Sequence, residues 1–231
     1  MTSSIRINIV TEGQTEETFV NNILVDHLIK FGIFDVRAHS ITTGYSNGRP
    51  KRGGLLSYSH LQKDINNWLR SDPSAIVTTM IDLYGIPEDF PGKSIWSNIN
   101  NPLKKVQQAE LEFSQDIDNS RFFPYIQLHE FEGILFSEVE KIHESMIDTN
   151  DKITNLNSLK TIRSLFRTPE EINDNYNTAP SKRILRIYPS YQKPTDGIII
   201  AKRIGIDKIR QECPHFNSWL SRLETLPSHS L

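Results

Sequence analysis

The first half of the chain alternates apolar runs of strand length with longer segments in which apolar residues recur every three or four positions. The runs predict buried strands, and the recurring positions predict helices with one apolar face. Predicted strands cover residues 5–10, 35–42, 75–82 and 121–128, and predicted helices cover residues 16–30, 58–69 and 102–117. This alternation is typical of an α/β fold with a parallel sheet flanked by helices.

After residue 137 the pattern is almost wholly helical. We therefore predict an α/β domain over residues 1–137 and a helical C-terminal extension over residues 138–231 that packs on it and completes its site. Between the second predicted strand and the second predicted helix, residues 44–54 are rich in glycine and basic residues. That composition predicts a polar, mobile loop.

Charge and composition narrow the class of protein. The 231 residues include 26 basic and 28 acidic side chains, a formal net charge of -2, so any contact with nucleic acid must be local. The single cysteine, Cys213, excludes an internal disulfide and a multi-cysteine zinc cluster, in agreement with a reducing compartment. We find neither a signal peptide nor a membrane span and expect a cytoplasmic protein without membrane contact.

Two predicted strands end in an acid at a turn. The first runs into Thr11-Glu12-Gly13, and the third ends on Asp82. In a parallel sheet both carboxylates lie at the carboxyl edge, where open α/β sheets place their sites. Such oxygen ligands suit Mg²⁺ or Mn²⁺. Taken alone, Glu12 is equally consistent with a first-turn acid on the following helix.

The last predicted strand leads directly into His129-Glu130-Phe131-Glu132. This segment lacks the second histidine of the His-Glu-x-x-His zinc motif. Glu130 and Glu132 could simply begin a short helix and favour its dipole. However, acids at three strand ends repel each other unless a cation or proton lies among them, so together they favour a functional site.

A basic constellation lies in the helical half. A predicted helix start places Ser181, Lys182 and Arg183 in its first turn, where backbone N–H groups, a hydroxyl and two cations form a candidate phosphate site. Alternatively, these cations are solvated or paired with the acids of residues 170–174. Lys193 could equally be an ordinary solvated lysine on the surface.

Several of these stretches also resemble a known family. They are Thr11-Glu12-Gly13-x-Thr15-Glu16, Asp82-x-Tyr84-Gly85-x-Pro87, His129-Glu130-Phe131-Glu132, Pro169-Glu-x-Ile-Asn173, Thr178-Ala-Pro-Ser-Lys-Arg183 and Ile209-Arg-x-x-Cys-Pro-His-Phe-x-x-Trp219. Together they cover nearly the whole chain, which resembles a bacterial family of Toprim-like proteins of largely undefined function.

The resemblance implies a metal site. Toprim domains of topoisomerases, primases and overcoming-lysogeny-defect nucleases bind magnesium through a glutamate after the first strand and an Asp-x-Asp after the third. Glu12 matches the glutamate and Asp82 the first aspartate, but Tyr84 stands where the second aspartate is expected. The resemblance then implies that Glu130 or Glu132 supplies the missing oxygen.

The function that follows is a magnesium-dependent nuclease, a hydrolase acting on DNA or RNA. Glu12, Asp82 and Glu130 would act at the metal, and Lys193 would neutralise charge on the phosphate. Related Toprim-like proteins are often encoded beside ATPases in anti-phage defence loci, which implies an ATPase partner and a toxic effector role. The alternative is a non-catalytic binding or regulatory subunit of an ATPase complex, favoured by Tyr84 and by the near-neutral charge.

Overall fold

A five-stranded parallel sheet forms the centre of the fold. The computed structural model describes residues 5–46, 49–52, 54–146, 152–173 and 176–226, with only the backbone at residues 43–46, 49–52, 152 and 176. Its strands are Arg6–Thr11 (β1), Asp35–Ser40 (β2), Thr42–Ser46 (β3), Arg49–Arg52 (β4), Ala75–Asp82 (β5), Phe122–Phe123 (β6) and Ile126–Gln127 (β7). The sheet order is β2-β1-β5, and both β6 and β7 pair with the outer side of β5, all in parallel.

Helices flank the sheet and make up the C-terminal part. They are Gln14–Phe19 (α1), Val25–Leu28 (α2), Tyr58–Ser71 (α3), Lys93–Trp96 (α4), Pro102–Ile117 (α5), Val139–Ser145 (α6), Lys152–Ser164 (α7), Pro180–Ile187 (α8), Lys193–Ile204 (α9), Ile206–Glu212 (α10) and Pro214–Thr225 (α11). A π-helical turn, Val20–Leu24, joins α1 to α2. The predicted class, an α/β fold with a parallel sheet and C-terminal helices, is confirmed. Among the described residues, no helix has both the length and the apolar character needed to cross a bilayer.

Each face of the sheet carries its own apolar core. Ile7 and Ile9 of β1 face one core, which also contains side chains from α8 to α11, whereas Val10 faces the other, formed with α3 and α5. β1 and β5 are buried on both faces, so adjacent positions such as Ile9 and Val10 are both apolar. The C-terminal helices thus share a core with the sheet, while the domain boundary at residue 137 stays a prediction.

Pro124 divides the predicted strand at residues 121–128 into β6 and β7. A proline has no N–H to donate to a ladder, so the pairing with β5 is interrupted there. The Thr79 hydroxyl fills the gap: it accepts a hydrogen bond from Tyr125 N at 3.0 Å and donates one to Tyr125 O at 2.9 Å. Both backbone groups are therefore satisfied in the buried interior.

Side chains also close the outer edge of β7. Glu110 Oε1 accepts from Ile126 N at 2.8 Å, and His215 Nε2 lies 3.1 Å from Ile126 O and 3.0 Å from Glu110 Oε1. Glu110 belongs to α5 and His215 to α11, so this contact also ties the two helices together. Glu110 and His215 therefore occupy the backbone groups of this edge strand, so that another chain cannot pair with it and extend the sheet.

The prediction of a polar loop at residues 44–54 was wrong. The backbone forms an antiparallel ladder between β3 and β4, with Ser46 opposite Arg49 and Thr42 opposite Arg52. The two residues between the strands in sequence, Asn47 and Gly48, and also Gly53, lie outside the described residues. The prediction failed because it depended on apolar alternation, which a ribbon with polar residues lacks, and overlooked the Asn-Gly dipeptide that is typical of hairpins.

Candidate active site

Glu12 and Asp82 lie side by side at the carboxyl edge of the sheet. Glu12 N donates to Met80 O at 3.1 Å, which continues the β1–β5 ladder by one residue. The Glu12 side chain then turns toward β5, where its Oε2 accepts a hydrogen bond from Asp82 N at 3.0 Å. The parallel register therefore brings together two carboxylates that are 70 positions apart in sequence.

The turn after β5 leaves space for this contact. A Cβ atom at Gly85 would lie 2.9 Å from Glu12 Oε1, a distance that a real Cβ does not adopt without displacement of its neighbour. Tyr84 in this turn is 44% exposed. Its backbone N donates to His129 O at 3.1 Å. This bond joins the turn after β5 to the segment that carries Glu130.

Glu130 and Glu132 reach the site through a 3₁₀ segment, Phe131–Ser137, that follows the sheet. Both are buried, and Glu132 is only 1% exposed. Lys193, the first residue of α9, places its Nζ 3.1 Å from Glu132 Oε2 and 3.6 Å from Glu130 Oε1. The helical extension therefore contributes the cation that faces these two acids.

A fifth carboxylate, Glu16, was not among the predicted site residues. It lies in the first turn of α1, is 7% exposed, and its Oε2 accepts from Gly13 N at 3.0 Å. Its position, four residues after Glu12 at a helix start, is the sequence signal that could have identified it. Burial raises the pKa of Glu16 to about 7, and repulsion from Glu12 and Glu132 adds to this effect.

These side chains form what we call the acidic cluster: Glu12, Glu16, Asp82, Glu130 and Glu132. Burial is the main reason that the pKa values of Glu12, Asp82 and Glu132 are raised. The Asp82 carboxyl is raised further by repulsion from Glu16, Glu12 and Glu132. Burial lowers the pKa of Lys193, but attraction to Glu132, Glu130 and Asp82 outweighs it and keeps the ammonium charged. Lys193 is therefore the cation that offsets the charge of Glu130 and Glu132.

The donor chemistry of the acidic cluster fits a hard divalent cation. In the described part of the chain, Asp82 Oδ1 and Glu132 Oε1 are buried without a hydrogen-bond partner. Carboxylate oxygens are the ligands that Mg²⁺ and Mn²⁺ take. However, no three acidic, histidine or cysteine side chains of the described residues converge closely enough to hold a metal as they stand. Metal binding would thus require carboxylates to rotate away from their present contacts.

The predicted phosphate site at the start of α8 already contains an anion of the chain itself. Ser181 is buried, and its backbone N donates to Glu130 Oε2 at 3.1 Å. The carboxylate thus takes an N–H group that the sequence offered to a phosphate. Lys182 lies in the same turn and is half-buried. A role for Ser181 and Lys182 in phosphate binding stays a prediction.

Arg183 makes two contacts with neighbouring parts of the chain. Its Nε donates to Thr178 O at 2.6 Å, and its guanidinium lies 5.3 Å above the Phe166 ring. Glu170, one of the acids considered as its partner, is buried and accepts hydrogen bonds from His215 N and Phe216 N, both at 2.9 Å. Glu170 thus caps the start of α11, and the phosphate role of Arg183 also stays a prediction.

One known protein family matches nearly the whole chain. The family described as "Domain of unknown function (DUF4276)" matches residues 11–224, which include the whole acidic cluster. The chain belongs to the DUF4276 family. No curated protein matches this DUF4276 chain in sequence.

Solved structures show only a distant similarity. The C-terminal region of the Xanthomonas campestris pv. campestris OLD protein has 14% identity and a TM-score of 0.43, with 94% of each chain covered. The C-terminal region of the Burkholderia pseudomallei OLD protein has 13% identity and a TM-score of 0.43, over 93% of this chain and 98% of that one. At these values the similarity does not establish a common fold.

Proposed function

We propose that this DUF4276 protein is a metal-dependent nuclease that cleaves phosphodiester bonds of nucleic acid at the acidic cluster. The observation that carries the proposal is the gathering of five carboxylates at the carboxyl edge of a parallel sheet, four of them with raised pKa values. Such a cluster opposes folding, because buried like charges repel and lose hydration. Perturbed acids of this kind are concentrated at functional sites.

The residues that would hold Mg²⁺ or Mn²⁺ are Glu12, Asp82, Glu130 and Glu132. The unpartnered Asp82 Oδ1 and Glu132 Oε1 support the assignment, because their burial costs free energy that a cation would offset. When bound, the metal supplies polarisation of the scissile phosphate and a more acidic water. Lys193, whose Nζ lies 3.1 Å from Glu132 Oε2, would neutralise charge on the phosphate oxygens.

The biological setting comes from the motif resemblance alone. Related Toprim-like proteins are often encoded beside ATPases in anti-phage defence loci, and Glu12 and Asp82 resemble the metal-binding glutamate and first aspartate of Toprim domains. We therefore include an ATPase partner and a toxic effector role in the proposal. The carboxylates of the chain perform the chemistry, and the partner would control access to them.

A second candidate function is a non-catalytic binding or regulatory subunit of an ATPase complex. Two observations favour it: Lys193 already pairs with Glu130 and Glu132, and no three ligands of the described chain converge. Tyr84 at the second aspartate position agrees with this reading. In such a protein the cluster would be a remnant neutralised by Lys193 and by protons.

Metal binding comes first among the tests. Calorimetry with Mg²⁺ and Mn²⁺ should give a dissociation constant in the millimolar range or tighter, and saturating metal should raise the melting temperature by mass action. The double variant Glu12→Gln with Asp82→Asn should lose both effects. Glu88→Gln is the matched control, since this carboxylate is 94% exposed and is not part of the acidic cluster. Unchanged binding by the double variant would remove the acidic cluster as the metal site.

The activity test uses labelled DNA and RNA, single- and double-stranded, with Mn²⁺ or Mg²⁺ and with EDTA. The wild type and Glu88→Gln should cleave at least one substrate with metal, whereas Glu12→Gln should bind it without cleavage. Cleavage that persists in Glu12→Gln would place the active centre elsewhere. Binding without cleavage by the wild type, with and without a cognate ATPase, would favour the non-catalytic candidate.

A further inference from the structure

The β3–β4 hairpin begins and ends beside Glu12. Before it, Ile41 N donates to Thr11 O at 3.0 Å, and after it, Gly54 N donates to Glu12 O at 3.2 Å. A third bond, from Thr42 N to Asp64 Oδ2 at 2.8 Å, fastens the first residue of β3 to α3. The base of the hairpin is therefore fixed at the edge of the acidic cluster.

The second strand of this hairpin is the most basic of the strands that the structure describes. Its sequence is Arg49-Pro-Lys51-Arg52, so three of its four residues are cations. Pro50 is tolerated because each strand of a two-stranded ribbon has a free edge. In a chain with a net charge of -2, this concentration of positive charge is local. The backbone of this strand is followed two residues later by Gly54, whose N–H bonds to Glu12 O.

A basic strand beside the acidic cluster would offset the repulsion between the carboxylates and a nucleic acid. A nucleic acid carries one phosphate charge per about 3.4 Å of rise on each strand, and five carboxylates repel it. At about 3.3 Å per residue, the four residues of β4 span about 13 Å, the length of several phosphates. A two-stranded ribbon also has the width that a major groove admits.

We propose that the β3–β4 hairpin is a nucleic-acid-binding arm in which Arg49, Lys51 and Arg52 hold the phosphate backbone beside the acidic cluster. The inference takes its ligand class, nucleic acid, from the proposed function. It adds the surface that recognises the ligand and the source of affinity. Because the contacts are to phosphate, the arm contributes binding without sequence preference.

The test measures nucleic-acid binding by fluorescence anisotropy at several salt concentrations, in the Glu12→Gln background so that cleavage does not interfere. Replacement of Arg49, Lys51 and Arg52 by alanine should weaken binding about tenfold or more. It should also reduce the slope of log affinity against log salt by about 2 to 3, because three counterion releases are lost. The charge-retaining variant Arg49→Lys with Arg52→Lys should keep the wild-type slope.

The matched control removes three exposed cations at the far ends of helices: Lys30, Arg70 and Lys202. Lys30 and Arg70 precede β2 and β5, so they lie toward the amino edge of the sheet, and Lys202 lies in the last turn of α9, which begins at the cluster. This variant changes net charge equally and should retain affinity and slope. Unfolding curves of both triple variants should match that of the parent protein, since the hairpin base is held by backbone bonds.

The outcomes separate this inference from the proposed function. Equal losses in both triple variants, or none in the hairpin variant, would overturn the arm. Cleavage by the wild type with unchanged binding of the hairpin variant would keep the nuclease but assign the cations to another ligand, such as an acidic protein surface. Hairpin-dependent binding without cleavage would support the arm and reject the nuclease. No binding by any form would reject both.

Discussion

Glu16 should make the protein lose stability as the pH rises from acid to neutral. Its pKa is about 7 in the folded chain against 4.5 for an ordinary glutamate, mainly because it is buried. At about 1.4 kcal/mol per pH unit, this difference corresponds to about 3 kcal/mol of unfolding free energy. That amount is a large part of the stability of a typical domain.

The direction follows from the protons that each state binds. Below pH 4.5 the carboxyl is protonated in the folded and the unfolded chain, so it has no effect. Between pH 4.5 and about 7 the unfolded chain releases the proton while the folded chain keeps it, and the free energy of unfolding falls. Above about pH 7 the folded chain ionises too, and the loss stays at its full value.

The assay is urea unfolding at intervals from pH 4 to pH 8 in EDTA, for the wild type, Glu16→Gln and the exposed control Glu88→Gln. The amide oxygen of glutamine can still accept from Gly13 N. Glu16→Gln should therefore match the wild type at pH 4 and be about 3 kcal/mol more stable at pH 8. Glu88→Gln should follow the wild type throughout.

The difference between the two curves isolates Glu16, because the other cluster acids contribute to both. Their raised pKa values bend each curve in the same direction. A constant difference between Glu16→Gln and the wild type across this pH range would refute the reasoning. It would mean that the carboxylate is ionised and well solvated in the folded chain.

Three further changes test the contacts around the site. Gly85→Ala should displace the Glu12 carboxylate from Asp82 N, with about 1 kcal/mol lost in urea unfolding and weaker metal binding in calorimetry; unchanged metal affinity would contradict it. Lys193→Met should cost about 2 kcal/mol at pH 8, after a discount for the 42% exposure of the lysine, and less at lower pH, as Glu132 with its raised pKa takes up a proton; a pH-independent cost would count against the pairing. Thr79→Val should cost about 2–4 kcal/mol by leaving two buried backbone groups unpaired, and a loss below 1 kcal/mol in urea unfolding would argue against that bridging role.

Elements with a complete local signal were predicted to the residue. The apolar run at Ala75–Asp82 and the helix that Pro102 opens coincide with β5 and α5. In both elements, the apolar pattern stops at the residue where the structure also ends the element. The predicted strand at residues 121–128 failed at Pro124, since the continuity of its apolar residues outweighed the missing N–H in the prediction. Its repair by Thr79 depends on a residue 46 positions away and has no local signature.

The meeting of Glu12 and Asp82 was predictable because it follows from topology alone. Once strands are parallel and adjacent, their carboxyl ends share an edge. The contact between Glu132 and Lys193 is different, because it spans 61 positions and depends on how α9 packs against the 3₁₀ segment. The bond from Ser181 N to Glu130 Oε2 likewise depends on how a distant helix, α8, packs against this segment. Composition and periodicity carry no information about such packing, so the sequence indicated the residues but not their partners.

Net charge was the weakest guide to function in this chain. A value of -2 argues against nucleic-acid binding only if the charges are evenly spread. The fold instead gathers five acids at one edge of the sheet, and the backbone on either side of a hairpin with three basic residues bonds to Thr11 and Glu12. At physiological salt, charges farther apart than about 8 Å are largely screened, so a polyanion responds to these neighbouring regions and not to the sum over the chain. Near-neutrality is therefore compatible with a nuclease, provided that the cations lie where the strand must pass, which the hairpin variants test directly.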